Sequence, residues 1–308
     1  MRILLSGGSG MVGRNILEHA KASSHEIFAP SSQDMNLLDR ESTLKAVRSF
    51  KPELVIHSAG RVGGIQANMA SPVAFLVENV DMGRNIIGAA AEVGVPKLLN
   101  MSSSCMYPRN APNPLSEDLV LKGELEPTNE GYAIAKVFAT RYASYLMRER
   151  KELQYKTLIP CNLFGRFDKF DPENSHLIPA IIHKIHVAKE ENLPHVDIWG
   201  DGEARREFMD AADLAEFVFS ALEKFDRLPE LTNVGLGFDH SINEYYQAVA
   251  NVIGYKGLFK HDLTKPVGMK QKLVAVNRAQ EFGWKATISL EAGIRKSYQY
   301  YLGLQEKS

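Results

Sequence analysis

Tyr132 and Lys136 stand four residues apart, and the run Ser102-Ser103-Ser104-Cys105 precedes them. A Tyr-x-x-x-Lys spacing on a helix puts a phenol and an ammonium on one face. A cation so placed holds the phenol near ionisation, ready to give or take a proton at a carbonyl or alcohol oxygen. Ser103 adds a hydrogen-bond donor for the same oxygen. Cys105, two residues further on, adds a group able to take a proton from carbon. Together these residues imply reduction of a ketone and inversion of a stereocentre beside it.

Such groups need a scaffold and a hydride source. Gly7-x-x-Gly10-x-x-Gly13 follows directly on the short apolar run Arg2 to Ser6 and opens a helix-like stretch, Met11 to Ala20. Glycines there permit a tight turn, close approach of a pyrophosphate and close packing of helix on sheet, while the helix N-terminus offers N–H groups and a positive dipole end. Gly7, Gly10, Met11, Val12 and Gly13 are therefore the expected dinucleotide cradle. The next strand ends Phe28-Ala29-Pro30-Ser31-Ser32, with no acid to bond the ribose hydroxyls of NAD. A 2′-phosphate is tolerated and Ser31 and Ser32 can donate to it, although no Arg stands among them. NADP(H) is the cofactor expected, with NADH also admitted; no metal ion is called for.

The pattern continues with an amphipathic stretch at Arg40 to Phe50, a strand at Leu54 to His57, a long helix over Ser71 to Val93 and a strand at Lys97 to Met101. A helix over Tyr132 to Arg150 then precedes a strand at Thr157 to Pro160. Alternation of this kind predicts an α/β fold: a Rossmann-type doubly wound parallel sheet with helices on both faces. After about Gly165 the regularity falls. Helices are expected at Ile178 to Glu191, Ala211 to Phe225, Asn243 to Val252 and Leu290 to Tyr301, with a strand at Val196 to Trp199. The division predicted is a cofactor domain over 1–165, with segments around 207–238 returning to it, and a smaller C-terminal α/β substrate lobe over 166–308.

Composition narrows the partners. The 308 residues carry a formal net charge of -1 with no long basic run, which argues against nucleic acid. Two cysteines, Cys105 and Cys161, argue against a disulfide framework and for a reducing compartment. No apolar stretch approaches membrane-spanning length and the N-terminal apolar run is too short for a signal peptide, so a cytoplasmic protein is expected.

With the glycine loop, the Ser103, Tyr132 and Lys136 set resembles the extended short-chain dehydrogenase/reductase family. Within that family, several longer words look like the GDP-L-fucose synthases. These are Arg61-Val62-Gly63-Gly64-Ile65, Ser103-Ser104-Cys105-Met106-Tyr107-Pro108 and Leu125-Glu126-Pro127-Thr128-Asn129-Glu130-Gly131-Tyr132-Ala133-Ile134-Ala135-Lys136. Asn174-Ser175-His176-Leu177-Ile178-Pro179, and Trp199-Gly200-Asp201-Gly202 followed by Arg206-Glu207-Phe208, complete the match. The resemblance implies NADPH-dependent conversion of GDP-4-keto-6-deoxy-D-mannose, epimerised beside C4 and then reduced at C4. It implies Cys105 as base and His176 as acid on opposite faces of the sugar. Ser103 and Tyr132 would bind the C4 oxygen, and Lys136 would lower the phenol's pKa and bind the nicotinamide ribose. Asn162, Leu163 and His176 join the cofactor residues; Lys184, Trp199 and Arg206 would hold the GDP-sugar, although Arg205 adjoins Arg206. The family also implies a homodimer paired through the two long helices.

The chain departs from the family pattern at Ser9 and Ser32, where Arg is usual, and at Ala275, where Asp is usual. The same parts serve GDP-L-colitose synthases, which invert only C5 of a 3-deoxy sugar, and C4 reductases of GDP-heptoses. A dehydratase would need an Asp-Glu pair where Cys105-Met106 stands. A simple 4-epimerase needs no cysteine, and a non-catalytic NADP-binding protein would need none of the reacting residues. Cys161 reads as structural, and Ser102 and Ser104 as turn or packing residues.

Overall fold

Alternation in the first half yields β1 (Arg2–Ser6), α1 (Met11–Glu18), β2 (Glu26–Phe28), α2 (Arg40–Phe50), β3 (Leu54–His57), α3 (Ile65–Ala70) and α4 (Pro72–Val93). It continues with β4 (Lys97–Met101), α5 (Glu130–Glu149) and β5 (Gln154–Pro160). The second half adds β6 (Asn162–Phe164), α6 (Leu177–Glu190), β7 (His195–Trp199), β8 (Arg205–Arg206), β9 (Phe208–Asp210), α7 (Ala211–Glu223) and β10 (Leu231–Val234). The chain closes with β11 (His240–Ser241), α8 (Ile242–Ile253), β12 (Leu258–Asp262), β13 (Gln271–Lys272), α9 (Asn277–Glu281) and α10 (Leu290–Gln305). The computed structural model describes residues 1–171, 175–265 and 269–306; Asn174 of the Asn-Ser-His word lies outside them.

Six strands form one parallel sheet in the order β2-β1-β3-β4-β5-β10. Each strand feeds two cores because its side chains alternate. Ile3 and Leu5, Leu54 and Ile56, and Leu99 and Met101 join one cluster with Ile16 of α1 and Leu214, Phe217 and Val218 of α7. Leu4, Val55 and Leu98 face the other way, against Leu44 of α2, Ile86 and Ala90 of α4, and Ala139 of α5. Burial on both faces is the condition under which all-parallel sheets occur. β1 has β2 on one side and β3 on the other, so the strand order reverses there and opens a crevice beyond the strands' C-terminal ends.

A second core joins α6, α8 and α10 with Val196 and Ile198 of β7. Its helix α8 is fixed at the start by a reciprocal capping box between Ser241 and Glu244. Residues of the last quarter also return to the main sheet: Val274, Ala279, Phe282 and Trp284 join its first core, Trp284 standing edge-on to Phe217 at 4.9 Å.

Element ends moved where local caps outweigh periodicity. The first helix stops at Glu18, and a 3₁₀ turn, Ala20–Ser24, follows with His19 accepting from the Lys21 N–H. α5 starts at Glu130, which puts Tyr132 in its first turn. α3, and the two-residue strands β8, β11 and β13, are too short to leave a periodic trace in sequence.

Candidate active site

The glycine turn closes on itself. Gly7 has φ +78°, and a Cβ there would come within 2.6 Å of the Ala59 nitrogen in the loop after β3. A Cβ on Gly13 would meet the Gly7 carbonyl oxygen at 2.2 Å, so helix α1 can approach the turn only with glycine there. No side chain caps the N-terminus of α1 at Gly10. Its first N–H groups, at Met11, Val12 and Gly13, with the positive end of the helix dipole, suit a pyrophosphate. These residues fit the dinucleotide that the resemblance implies.

Ser31 and Ser32 stand exposed beyond β2. The Ser31 hydroxyl donates to Asp34 Oδ2 at 2.6 Å, so a carboxylate already holds one of the two donors expected for a 2′-phosphate. Asn162 and Leu163 lie half-buried in β6, level with Phe208 and Met209 of β9, and Asn162 Nδ2 donates to the Glu207 carbonyl at 2.9 Å. Below the crevice, His57 and Ser6 share a 2.8 Å hydrogen bond between Nδ1 and Oγ. Burial, reinforced by the charge of Lys136, pushes His57 down to about 3, so it packs as a neutral ring.

The reacting groups gather where β4 ends against the first turns of α5. Lys136 is buried, donates to the Met101 carbonyl at 2.9 Å and stands 5.6 Å from the centre of the Tyr132 ring. Gly60 brings the loop after β3 to the same ammonium, since a Cβ there would lie 3.7 Å from Nζ. Tyr132 hydrogen-bonds Ser103. The Ser103 Oγ also accepts from the Cys105 N–H at 3.2 Å, which caps the short turn Ser104–Met106 and fixes Cys105 beside it.

The phenol differs from the expectation. Its pKa is raised, chiefly by burial and further by Cys105, while the Ser103 bond pulls it back only in part. The ammonium that was to hold it near ionisation donates to a backbone carbonyl, and burial pushes Lys136 itself down to about 8, against an opposing pull from Cys105. Tyr132 is therefore a neutral proton donor at neutral pH, suited to protonating an alkoxide as it forms.

Cys105 is only half-buried, and its sulfur accepts from Asn129 Nδ2 at 3.3 Å and from Lys272 Nζ at 3.5 Å. His176 is the residue before α6, in the second lobe, half-buried, and burial lowers its pKa, with Lys169 adding to the effect. Its imidazolium is thus a stronger acid than usual and gives up its second proton readily. Cys161 is buried with its thiol pushed well up by burial, as a packing residue would be. Ser102 and Ser104 are buried in the same turn, Ser102 donating to the Met106 sulfur at 2.9 Å.

In the second lobe Lys184 and Trp199 come together, with Nζ 5.9 Å from the indole centre and donating to the Asp197 carbonyl at 2.9 Å. Trp199 is about half exposed, and Lys265 Nζ also stands over its ring at 5.5 Å. The neighbouring arginines part company. Arg205 is tied to Asp239 at 2.7 Å and to Glu244 at 3.5 Å, whereas burial lowers the pKa of Arg206, against an opposing pull chiefly from Glu126. Tyr245 donates to the Arg206 carbonyl at 2.8 Å while the adjacent Tyr246 meets Lys184, so α8 links Lys184 to Arg206.

Asn129 and Lys272 were not singled out from sequence. They lie 24 and 167 residues from Cys105, and no spacing rule connects positions that far apart.

A family profile described as the NAD dependent epimerase/dehydratase family matches residues 3–235. The chain is 52% identical to a GDP-L-colitose synthase of Yersinia pseudotuberculosis over 98% of each protein. It is 47% identical to a GDP-L-fucose synthase of Azorhizobium caulinodans, covering 98% of this chain and 96% of that one. Among solved structures, a GDP-mannoheptose C4 reductase of Campylobacter jejuni with NADP bound matches with a TM-score of 0.87 at 28% identity, over 98% of both chains.

Proposed function

The chain belongs to the NAD dependent epimerase/dehydratase family, and from that premise we propose that it is an NADPH-dependent GDP-sugar epimerase/reductase. The single observation that carries this is the sharing of one site by two sets of groups. Ser103, Tyr132 and Lys136 form a buried oxygen-binding cluster, and Cys105, held by two donors, stands beside it. The substrate is GDP-4-keto-6-deoxy-D-mannose and the product GDP-L-fucose.

The 4-keto group acidifies the C–H bonds on its neighbours. Cys105 takes the proton from carbon, and Ser103 and Tyr132 hydrogen-bond the oxygen on which negative charge develops. His176 returns a proton from the opposite face, since one group alone would restore the original configuration. When bound, NADPH supplies the hydride for C4. Tyr132 then gives its proton to the C4 oxygen, and Lys136 orients the phenol's surroundings and the nicotinamide ribose. Arg206 and Lys184 bind the diphosphate, bidentate contact being open to the arginine, and Trp199 provides an apolar wall.

A second reading has an observation of its own. The relative at 52% identity is a GDP-L-colitose synthase, whose substrate would lack the C3 hydroxyl, and Ala275 offers no carboxylate to accept from a sugar hydroxyl. Product analysis separates the two. NADPH oxidation is followed optically with GDP-4-keto-6-deoxy-D-mannose and, separately, with its 3-deoxy analogue, and the sugar is identified by NMR. Turnover of the first to GDP-L-fucose, with the second much poorer, supports the fucose reading; the reverse supports colitose. Oxidation with neither removes both and leaves a GDP-heptose reductase or a binding protein.

The protein acts as a homodimer in the cytoplasm. α4 and α5 lie side by side, and Val73 and Val77 on the first and Ile134 and Tyr145 on the second are exposed apolar side chains. A paired copy across a two-fold axis would cover them. Among the described residues no helix is long and apolar enough to cross a membrane, and both cysteines are unpaired, as a reducing compartment keeps them.

A further inference from the structure

The Cys105 sulfur receives more than packing contacts. Lys272 Nζ approaches it to 3.5 Å and Asn129 Nδ2 to 3.3 Å. Sulfur is a weak acceptor as a thiol and a good one as a thiolate, so two donors on one sulfur, one of them cationic, complement an anion. The Asn129 amide is itself drawn in: its Oδ1 is buried and unpartnered among the described residues.

The lysine is held in place by a braced strand. β13 pairs with β8 so that Lys272 lies level with Arg206, and the Arg205 N–H donates to the Lys270 carbonyl at 2.9 Å. Immediately after it, the Leu273 N–H donates to Asn113 Oδ1 at 2.8 Å and the Val274 N–H to Glu207 Oε2 at 2.9 Å. Leu115 closes the brace, giving its N–H to the Leu273 carbonyl at 2.8 Å and accepting from the Ala275 N–H at 2.9 Å. Glu207 is fully buried and also receives the N–H groups of Leu236 and Gly237. Two chain segments, 113–115 and 205–207, therefore fix the backbone from which the ammonium reaches the sulfur, the kind of support that a functional group needs to keep its geometry.

We propose that Lys272 is the counter-ion of the Cys105 thiolate, a positioning residue that keeps the sulfur charged and aimed for proton abstraction, with Asn129 as the second donor. The proposal rests on the epimerase/reductase reading. In the step it serves, a sulfur lone pair forms the S–H bond and the C–H electron pair becomes the enolate double bond. The charge ends on the C4 oxygen held by Ser103 and Tyr132, and Lys272 keeps its proton throughout. The other titratable groups facing the sulfur are Tyr132 and Lys136 of α5. Tyr132 is neutral, and Lys136 donates to the Met101 carbonyl, whereas Lys272 is a cation bonded directly to the sulfur. Its level with Arg206 gives a rival role, as a second cation on the substrate diphosphate.

Alkylation of the full-length protein by iodoacetamide, read at the Cys105 peptide by mass spectrometry as a function of pH, needs no sugar and so separates the proposal from the activity. Cys105→Ser provides the blank. Lys272→Gln is expected to slow alkylation about tenfold at about pH 7, as loss of a cation bonded to the sulfur would. Lys272→Arg should stay close to the parent, and GDP affinity should change less than about twofold. Asn129→Asp, which leaves β13 untouched, sets a like charge beside the sulfur and should slow the reaction as well, which keeps the test valid if Lys272→Gln fails to fold. An alkylation profile unmoved by either change overturns the proposal; if Lys272→Gln loses GDP binding at the same time, the lysine belongs to the diphosphate. A lysine effect without turnover of any GDP-4-keto sugar leaves this inference standing and removes the epimerase/reductase reading instead.

Discussion

The half of the site proposed to donate a proton and the half proposed to abstract one are made by opposite means. Ser103, Tyr132 and Lys136 come from the end of one strand and the first turns of one helix, and burial sets their behaviour: the phenol is raised and the ammonium lowered to about 8. Cys105 stands at the edge of that cluster, half-open, and donors from the loop before α5 and from β13 set the surroundings of its sulfur. Desolvation favours a neutral acid, and converging donors favour a charged base. A desolvated phenol beside a thiol met by two donors is an arrangement that suits an acid and a base. A keto-sugar enzyme that first deprotonates carbon and then protonates oxygen needs both.

The strongest way to break the comparison is Tyr132→Phe. Hydride transfer should fall about 10²–10⁴-fold, measured by single-turnover NADPH oxidation. Exchange of the sugar's C–H with solvent deuterium should survive better, because Ser103 still binds the oxygen; equal losses in the two assays would dissolve the division into halves. Cys105→Ser should do the reverse. Exchange and inversion should drop by at least about 10²-fold, with NADPH still consumed to give the uninverted alcohol, and NMR of the product decides it.

A smaller effect is expected outside the pair. Arg206→Met should weaken GDP binding about 10–100-fold by calorimetry, the loss of a charge-assisted contact. Arg205→Met should leave affinity alone and lower stability by about 1 kcal/mol, since that guanidinium is bound up with Asp239 and Glu244 at a partly exposed site. Equal losses of affinity would show that both arginines face the ligand.

The gentlest test is pH. Lys136 is lowered from its ordinary value, so its ammonium is present below about 8 and is lost as pH rises through that value. Hydride transfer should therefore decline on the alkaline side of about 8, and Lys136→Arg, which cannot deprotonate in that range, should flatten the decline. A rate that keeps rising through that range would separate the ammonium's charge from reduction.

What sequence conveys follows how locally each feature is written. Gly7, Gly10 and Gly13 lie within one turn and Tyr132 and Lys136 within one helical face, so spacing alone places them, and the parallel sheet follows from the strand-helix alternation that frames them. Spacing gives the face of a helix and not its depth. The Tyr132 and Lys136 pair is on one side of α5, as its period requires, yet burial reverses the expected direction of the phenol's pKa. Arg205 and Arg206 are equivalent as letters, and Asp239 and Glu244, 34 and 39 residues on from Arg205, distinguish them. Lys272 reaches Cys105 through β8 and β13, strands of two residues each, which no hydrophobic period can announce. Val274 to Trp284 likewise return to the main core through tertiary packing that their own pattern does not encode.

Turnover in deuterium oxide, with NADPH and either GDP-4-keto-6-deoxy-D-mannose or its 3-deoxy analogue, tests most directly whether one site performs both steps. For whichever sugar is consumed, proton NMR should show C4 carrying protium from the cofactor and the inverted carbon beside it carrying deuterium from solvent. Reduction with protium retained at that carbon, or NADPH left unoxidised with both sugars, would contradict the account.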